Sequence, residues 1–266
     1  MARPRPVAHS YGKDAVSVYR TNGERLFACE VRMVLRGDAF ETSYTEGDNS
    51  LVVATDSMKN FVHRTALEHA GGGLEDFLAE IGRRFVDRYE HVRTVELRAR
   101  ETVFAPRAGR VFQRLYDDCA VAEATFSDDG THVERSGREG LHLVKLTGSA
   151  FAGFLRDEYT TLPETHDRPL FVHLDTGWHN ADYARRADGE GVRDTLVATF
   201  AEFASESIQH LVHEMGARVL ERFPEIDNVA FAAENRLWDT AQQDPGATVY
   251  TDARPPFGVI TLSLDR

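Results

Sequence analysis

Four places in the sequence put polar groups at the ends of apolar elements, where a side chain can be held rigidly and still reach a cavity. Lys13, in Tyr11-Gly12-Lys13, brings an amine to the start of an apolar alternation. Thr55-Asp56 stands at a strand end, after the apolar run 51–54, that opens into a helix, and the free N–H groups and dipole of a helix start suit an anion. Phe151 and Arg168 combine an aromatic plane with a planar guanidinium, a pair that could hold a flat, electron-rich heterocycle. Gln209 and Asn235 are amides that can present donors and acceptors in a fixed pattern. Taken alone, the first two read as an ordinary loop lysine and an ordinary helix cap. His210 and His213 stand at i, i+3, a spacing open to a metal, but no HExxH or HxxEH order accompanies them and a partly exposed helix face is the simpler reading. GxGxxG, GxxxxGK[ST] and GxSxG are absent, which removes the usual sequence grounds for dinucleotide, NTP and serine-hydrolase chemistry.

The elements that must position these groups follow from periodicity. Phe27, Cys29, Val31, Met33 and Leu35 alternate strictly, so 26–36 is a half-buried strand, with 14–19 as its hairpin partner across Asn22-Gly23. After a polar connection at 46–48, the apolar run 51–54 leads to Asp56 or Ser57 as the cap of a helix near 57–70. Gly71-Gly72-Gly73 breaks that helix, and Leu74, Phe77, Leu78, Ile81 and Phe85 mark the next one. Strands are expected near 92–99, 111–126, 141–146 and 170–174, then one long helix from about 193 to 223 that Pro224 stops, then strands at 229–233 and 257–264. The pattern predicts an α+β protein of two halves, 1–135 and 136–266, each an antiparallel sheet with its helices on one face.

Composition bounds the function. Within 266 residues, 31 Lys and Arg face 43 Asp and Glu, and a net charge of −12 works against a phosphate-binding surface, so nucleic acid is not an expected partner. Two cysteines, Cys29 and Cys119, are too few for a disulfide framework or a thiolate zinc cage and suit a reducing compartment. The basic N-terminus has no apolar segment after it, and no stretch approaches the roughly 20 apolar residues of a membrane span. A cytoplasmic protein without a membrane partner is the expectation.

Three blocks carry a family resemblance: YGKDAVSVYR at 11–20, LVVATDSMKNFV at 51–62 and LHLVKLTGSAFAGFLRDEYTTLPETHDR at 141–168. The sequence resembles the urate oxidase (uricase) family, with weaker similarity through SIQHLVHEM and VAFAAENRLWD to the C-terminus. The resemblance implies two tandem tunnelling-fold halves assembled as a homotetramer, with active sites between subunits. It implies conversion of urate, O₂ and water to 5-hydroxyisourate and H₂O₂ in purine catabolism, without a metal or other cofactor. Lys13 and Thr55 match the catalytic dyad, and Thr55 and Asp56 also hold the purine. By the same resemblance Phe151 stacks on urate, Arg168 bonds its pyrimidine edge, Gln209 and the Ile208 N–H hold the opposite edge, and Asn235 lies over the ring where oxygen or water binds. One position departs from the family: a histidine that commonly extends the relay is Leu237 here, leaving His9, His63, His179 or water to serve. The alternatives are a non-catalytic purine-binding protein of this fold and a pterin- or GTP-handling enzyme of the same fold.

Overall fold

A strand that is apolar on alternate residues needs a cover for one face only, and both parts of this chain solve the problem with a pair of helices. The computed structural model describes residues 6–130 and 132–266; residues 1–5, within the basic N-terminus noted above, lie outside them. Among these residues no helix is long and apolar enough to cross a membrane. The chain divides into two compact units, Met1–Ser136 and Gly137–Arg266.

In the first unit, β1 (Tyr11–Asn22) and β2 (Arg25–Arg36) form a hairpin whose turn uses Gly23 at φ 64°, the left-handed region that glycine enters freely. A short 3₁₀ turn (38–40) and helix α1 (Glu41–Thr45) lie between β2 and the polar connection at 46–48. Helices α2 (Thr55–Glu68) and α3 (Leu74–Arg88) follow, then β3 (Thr94–Glu101), the hairpin β4 (Phe104–Ala108) and β5 (Val111–Arg114), and β6 (Cys119–Ser127). The main sheet runs β1-β2-β3-β6, with the described pairs antiparallel. Cys29, Val31, Met33 and Leu35 are buried together with Met58, Val62, Phe77, Leu78, Ile81 and Phe85, so both helices lie on the face the alternation marks as apolar. Each large side chain so buried contributes roughly 1.5–3 kcal/mol. The other face carries Arg98 bonded to Glu123 at 3.2 Å.

α3 approaches β6 closely because Gly82 has no side chain: a Cβ there would stand 2.0 Å from the Phe126 ring. That ring is itself stacked on His132, with ring centres 4.4 Å apart. Gly82→Ala is therefore expected to lower unfolding stability by about 1–3 kcal/mol despite alanine's better helix propensity, read as a lower urea midpoint at unchanged slope.

In the second unit, β7 (His132–Lys145), within which the division falls, precedes β8 (Leu170–Asn180), α4 (Gly189–Glu202), α5 (Ile208–Arg222), β9 (Ile226–Asn235), the hairpin β10 (Asp239–Asp244) and β11 (Ala247–Thr251), and β12 (Gly258–Asp265). The sheet runs β7-β8-β9-β12, with β8, β9 and β12 antiparallel. Val192, Leu196, Leu211, Val212, Met215 and Val219 bury against Leu174, Trp178, Val229 and Phe231. Three expectations are corrected here. The single helix over 193–223 is two helices, broken at 203–207, because Ser205 leaves the helical path to make a parallel bridge with Ser149 and Ser207 caps a new start. The strand near 111–126 is two, since Val111–Arg114 turns back on Phe104–Ala108 before β6 begins. Residues 51–54 form no strand, because the main chain there bonds to side chains rather than to a neighbouring ladder.

Candidate active site

Lys13 does not precede the first strand but lies within it, at a β-bulge. Lys13 is opposite Met33 and Val16 opposite Val31, so β1 holds one extra residue, taken up by Ala15 at φ 55° with its N–H donating to the Asp14 carboxylate at 2.8 Å. Facing residues on paired strands share a side, so the bulge puts Lys13 on the side of buried Met33, which is the side α2 covers. Gly12 permits the pairing, because a Cβ there would stand 2.0 Å from the Met33 carbonyl oxygen. Tyr11 completes the connection: its hydroxyl accepts the Val53 N–H at 2.9 Å, tying β1 to the residue two before Thr55. Burial raises the Tyr11 pKa, so the phenol stays neutral.

Thr55 is the first residue of α2. The cap proposed for Asp56 or Ser57 is not made: the helix begins earlier, Ala54 is the N-cap, and Ala54 has no side-chain group to offer the first-turn amides. Asp56 instead accepts from Lys59 Nζ at 2.6 Å and Asn60 Nδ2 at 2.9 Å. The Lys59 ammonium foremost, with Lys13 adding to it, holds the Asp56 carboxyl below the usual carboxylate range. Lys13, Thr55 and Asp56 thus form one polar group around a helix start.

The second unit holds the other site residues. Phe151 makes an isolated antiparallel bridge with Thr165, through N–H···O bonds of 2.7 and 2.9 Å, and the Arg168 N–H donates to Ser149 O at 3.0 Å. These bonds bring the Arg168 guanidinium carbon to 5.9 Å from the Phe151 ring centre. Phe154 stacks behind Phe151 at 4.9 Å and 13°, a brace that sequence spacing did not single out. Burial lowers the Arg168 pKa, and its buried Nε has no hydrogen-bond partner among the described residues. α5 begins at Ile208, whose side chain is buried, with Ser207 Oγ accepting the His210 N–H at 3.1 Å; Gln209, the next residue, is exposed. Asn235 ends β9, opposite Val172 and Gly258, and its side-chain oxygen is also buried without a partner. An unpaired buried polar atom costs about 1–3 kcal/mol, which a ligand that bonds to it recovers.

The remaining candidates have structural employment. Leu237 packs against the apolar core of the second unit. His9 bonds Gly37 O at 3.0 Å, His63 bonds Ser17 O at 3.1 Å and His179 pairs with Asp227 at 2.7 Å. His210 and His213 are exposed on α5, and among the described residues no three His, Cys, Asp or Glu side chains gather as they would around a metal ion.

In each unit, sheet strands covered on one face by a helix pair define an α+β protein of the tandem tunnelling-fold class. The uricase family model matches residues 9–108 and 134–261, and the chain belongs to that family. It is 38% identical to a uricase of Haloferax volcanii over 97% of this chain and 98% of that protein. It is 36% identical, over 97% of its own length, to a uric acid degradation bifunctional protein of Bacillus subtilis. The chain spans about three fifths of the first curated relatives it matches, 61% and 58% of their lengths. Among solved structures, a hyperthermostable mutant of Bacillus sp. TB-90 urate oxidase superimposes with a TM-score of 0.90 at 35% identity, over 97% of this chain and 99% of that one.

Proposed function

We propose that this chain is a urate oxidase, converting urate, O₂ and water to 5-hydroxyisourate and H₂O₂ without a redox cofactor. The observation that carries the reading is that two site residues, Arg168 and Asn235, each hold a buried polar atom (Nε and Oδ1) with no hydrogen-bond partner among the described residues, in a chain of the uricase family. Triplet O₂ reacts slowly with closed-shell molecules, so the substrate must be made electron-rich, and removing a proton from urate does that. Lys13, acting through the Thr55 hydroxyl, is the base; the amides at the start of α2 and Arg168 stabilise the anion that results. Asp56 anchors the purine beside Thr55, and Phe151, braced by Phe154, stacks on the ring. Arg168 bonds the pyrimidine edge, Gln209 and the Ile208 N–H take the opposite edge, and Asn235 faces the oxygen or water above the ring. Water takes the place of the relay histidine, a reading supported by the packing of Leu237 into the core.

A homotetramer with sites between subunits is part of the same proposal, supported by β1 and β12, which stand at the ends of the strand order with no further strand beside them among the described residues. A cytoplasmic location is supported by two buried cysteines that form no disulfide among the described residues, of which Cys29 has its pKa pushed up to about 12 by burial. Chelator-treated protein should bleach urate while consuming O₂ and releasing peroxide. Protein that binds purine but leaves urate intact would instead be a non-catalytic relative.

A further inference from the structure

Three segments far apart in sequence meet at one place in the second unit. The Ser205 N–H donates to Gly148 O at 3.1 Å, the Ala150 N–H to Ser205 O at 2.8 Å, and the Arg168 N–H to Ser149 O. This small frame carries Phe151 and Arg168 on one side and the turn that leads into Ile208 and Gln209 on the other. Short main-chain bridges of this kind fray unless side chains hold them. Lys145, the last residue of β7, supplies such a hold: its Nζ donates to the carbonyl of Phe203, the residue that ends α4, at 2.8 Å, and stands 5.4 Å over the Phe200 ring. Asp167, next to Arg168, accepts the Gly148 N–H at 2.7 Å and exerts its charge on Lys145. Burial lowers the lysine's pKa, and that charge works in the opposite direction, favouring the ammonium.

Resting on the urate oxidase reading, we propose that Lys145 is a positioning residue for substrate binding: with Asp167 it staples the α4–α5 turn to the Arg168 loop and so fixes Arg168 relative to Gln209 and the Ile208 N–H. It touches no substrate atom and takes no part in the Lys13–Thr55 relay. Loss of the staple therefore disturbs binding more than turnover.

The test compares Lys145→Met and Lys145→Arg with the wild type. In Lys145→Met, KM for urate and Kd for xanthine, a purine dione lacking the 8-oxo group, should each rise about tenfold while kcat stays within about threefold. The amides of Ala150 and Ser205 should exchange with deuterium about ten times faster. Lys145→Arg, which keeps a donor, should restore both readouts. Unchanged exchange at these amides, unchanged affinity, or failure of arginine to restore them overturns the proposal. If the methionine variant does not fold, Asp167→Asn keeps the acceptor but removes the charge, and it should loosen the same amides and raise KM; no change there overturns the proposal equally. A wild type that leaves urate intact sinks the oxidase reading, while exchange and xanthine affinity still decide whether the staple exists.

Discussion

Arg168→Gln should weaken xanthine binding by about 10²–10³-fold and raise KM for urate in step. Two charge-assisted hydrogen bonds of about 1.5–3 kcal/mol each are lost, and glutamine returns one neutral bond of about 1 kcal/mol. The net loss is about 2–5 kcal/mol, and at 1.4 kcal/mol per decade its centre, about 3.5 kcal/mol, falls within the stated range. The low dielectric around a guanidinium whose pKa is already lowered by burial strengthens whatever anion it faces. Arg168→Lys should not rescue binding, because an ammonium keeps the charge but lacks the planar fork. Titration calorimetry with xanthine reads the effect directly, and affinity within threefold of wild type would contradict the assignment of Arg168 to the purine edge.

Lys13→Met and Thr55→Ala should act on the opposite kinetic parameter. General-base catalysis is commonly worth about 10²–10⁴ in rate, so kcat should fall by that factor in each variant. Xanthine affinity should hold within about threefold, because an interaction made chiefly in the transition state has been removed. The double variant should be about as slow as the slower single one, since lysine and threonine act as one unit. Stopped-flow measurement of urate disappearance at saturating O₂ resolves the range, and near-normal kcat in both single variants would end the dyad assignment.

The parts of the fold that could be read from residue order are those where packing and periodicity say the same thing. The alternation from Phe27 to Leu35 and the helical spacing from Leu74 to Phe85 each bury the face they mark. The break at 203–207 could not be read that way, because Phe200, Phe203 and Leu211 continue an apolar face across it; Ser205 is withdrawn from the helix by bonds to Gly148 and Ala150, partners some 55 residues earlier. That same break creates the helix start that presents Gln209, so the feature hardest to see is one the site needs. Strand 111–126 failed for a related reason: a hairpin of five and four residues, β4 and β5, has too few alternations to separate it from the strand beyond. Lys13, Thr55, Phe151 and Arg168 were visible as chemistry-bearing types at element ends, but their grouping by role came from family resemblance. Tyr11, Phe154 and Lys145 act by touching other protein groups, through contacts that close only in the folded chain.

The extra residue in β1 gives that strand two phases, one for the half that fills the interior and another for the half that carries the amine. Counting alternate residues back from Val18 and Val16 would send the amine to the opposite surface of the sheet, and the surplus residue cancels that count. Removing one amino acid at position 14 or 15 would merge the two phases and leave the lysine still facing Met33, on a strand without the local bend and twist of a bulge. A shortened copy should therefore fold normally and keep the amine on its side, so any loss of turnover would measure the aim that the bend provides.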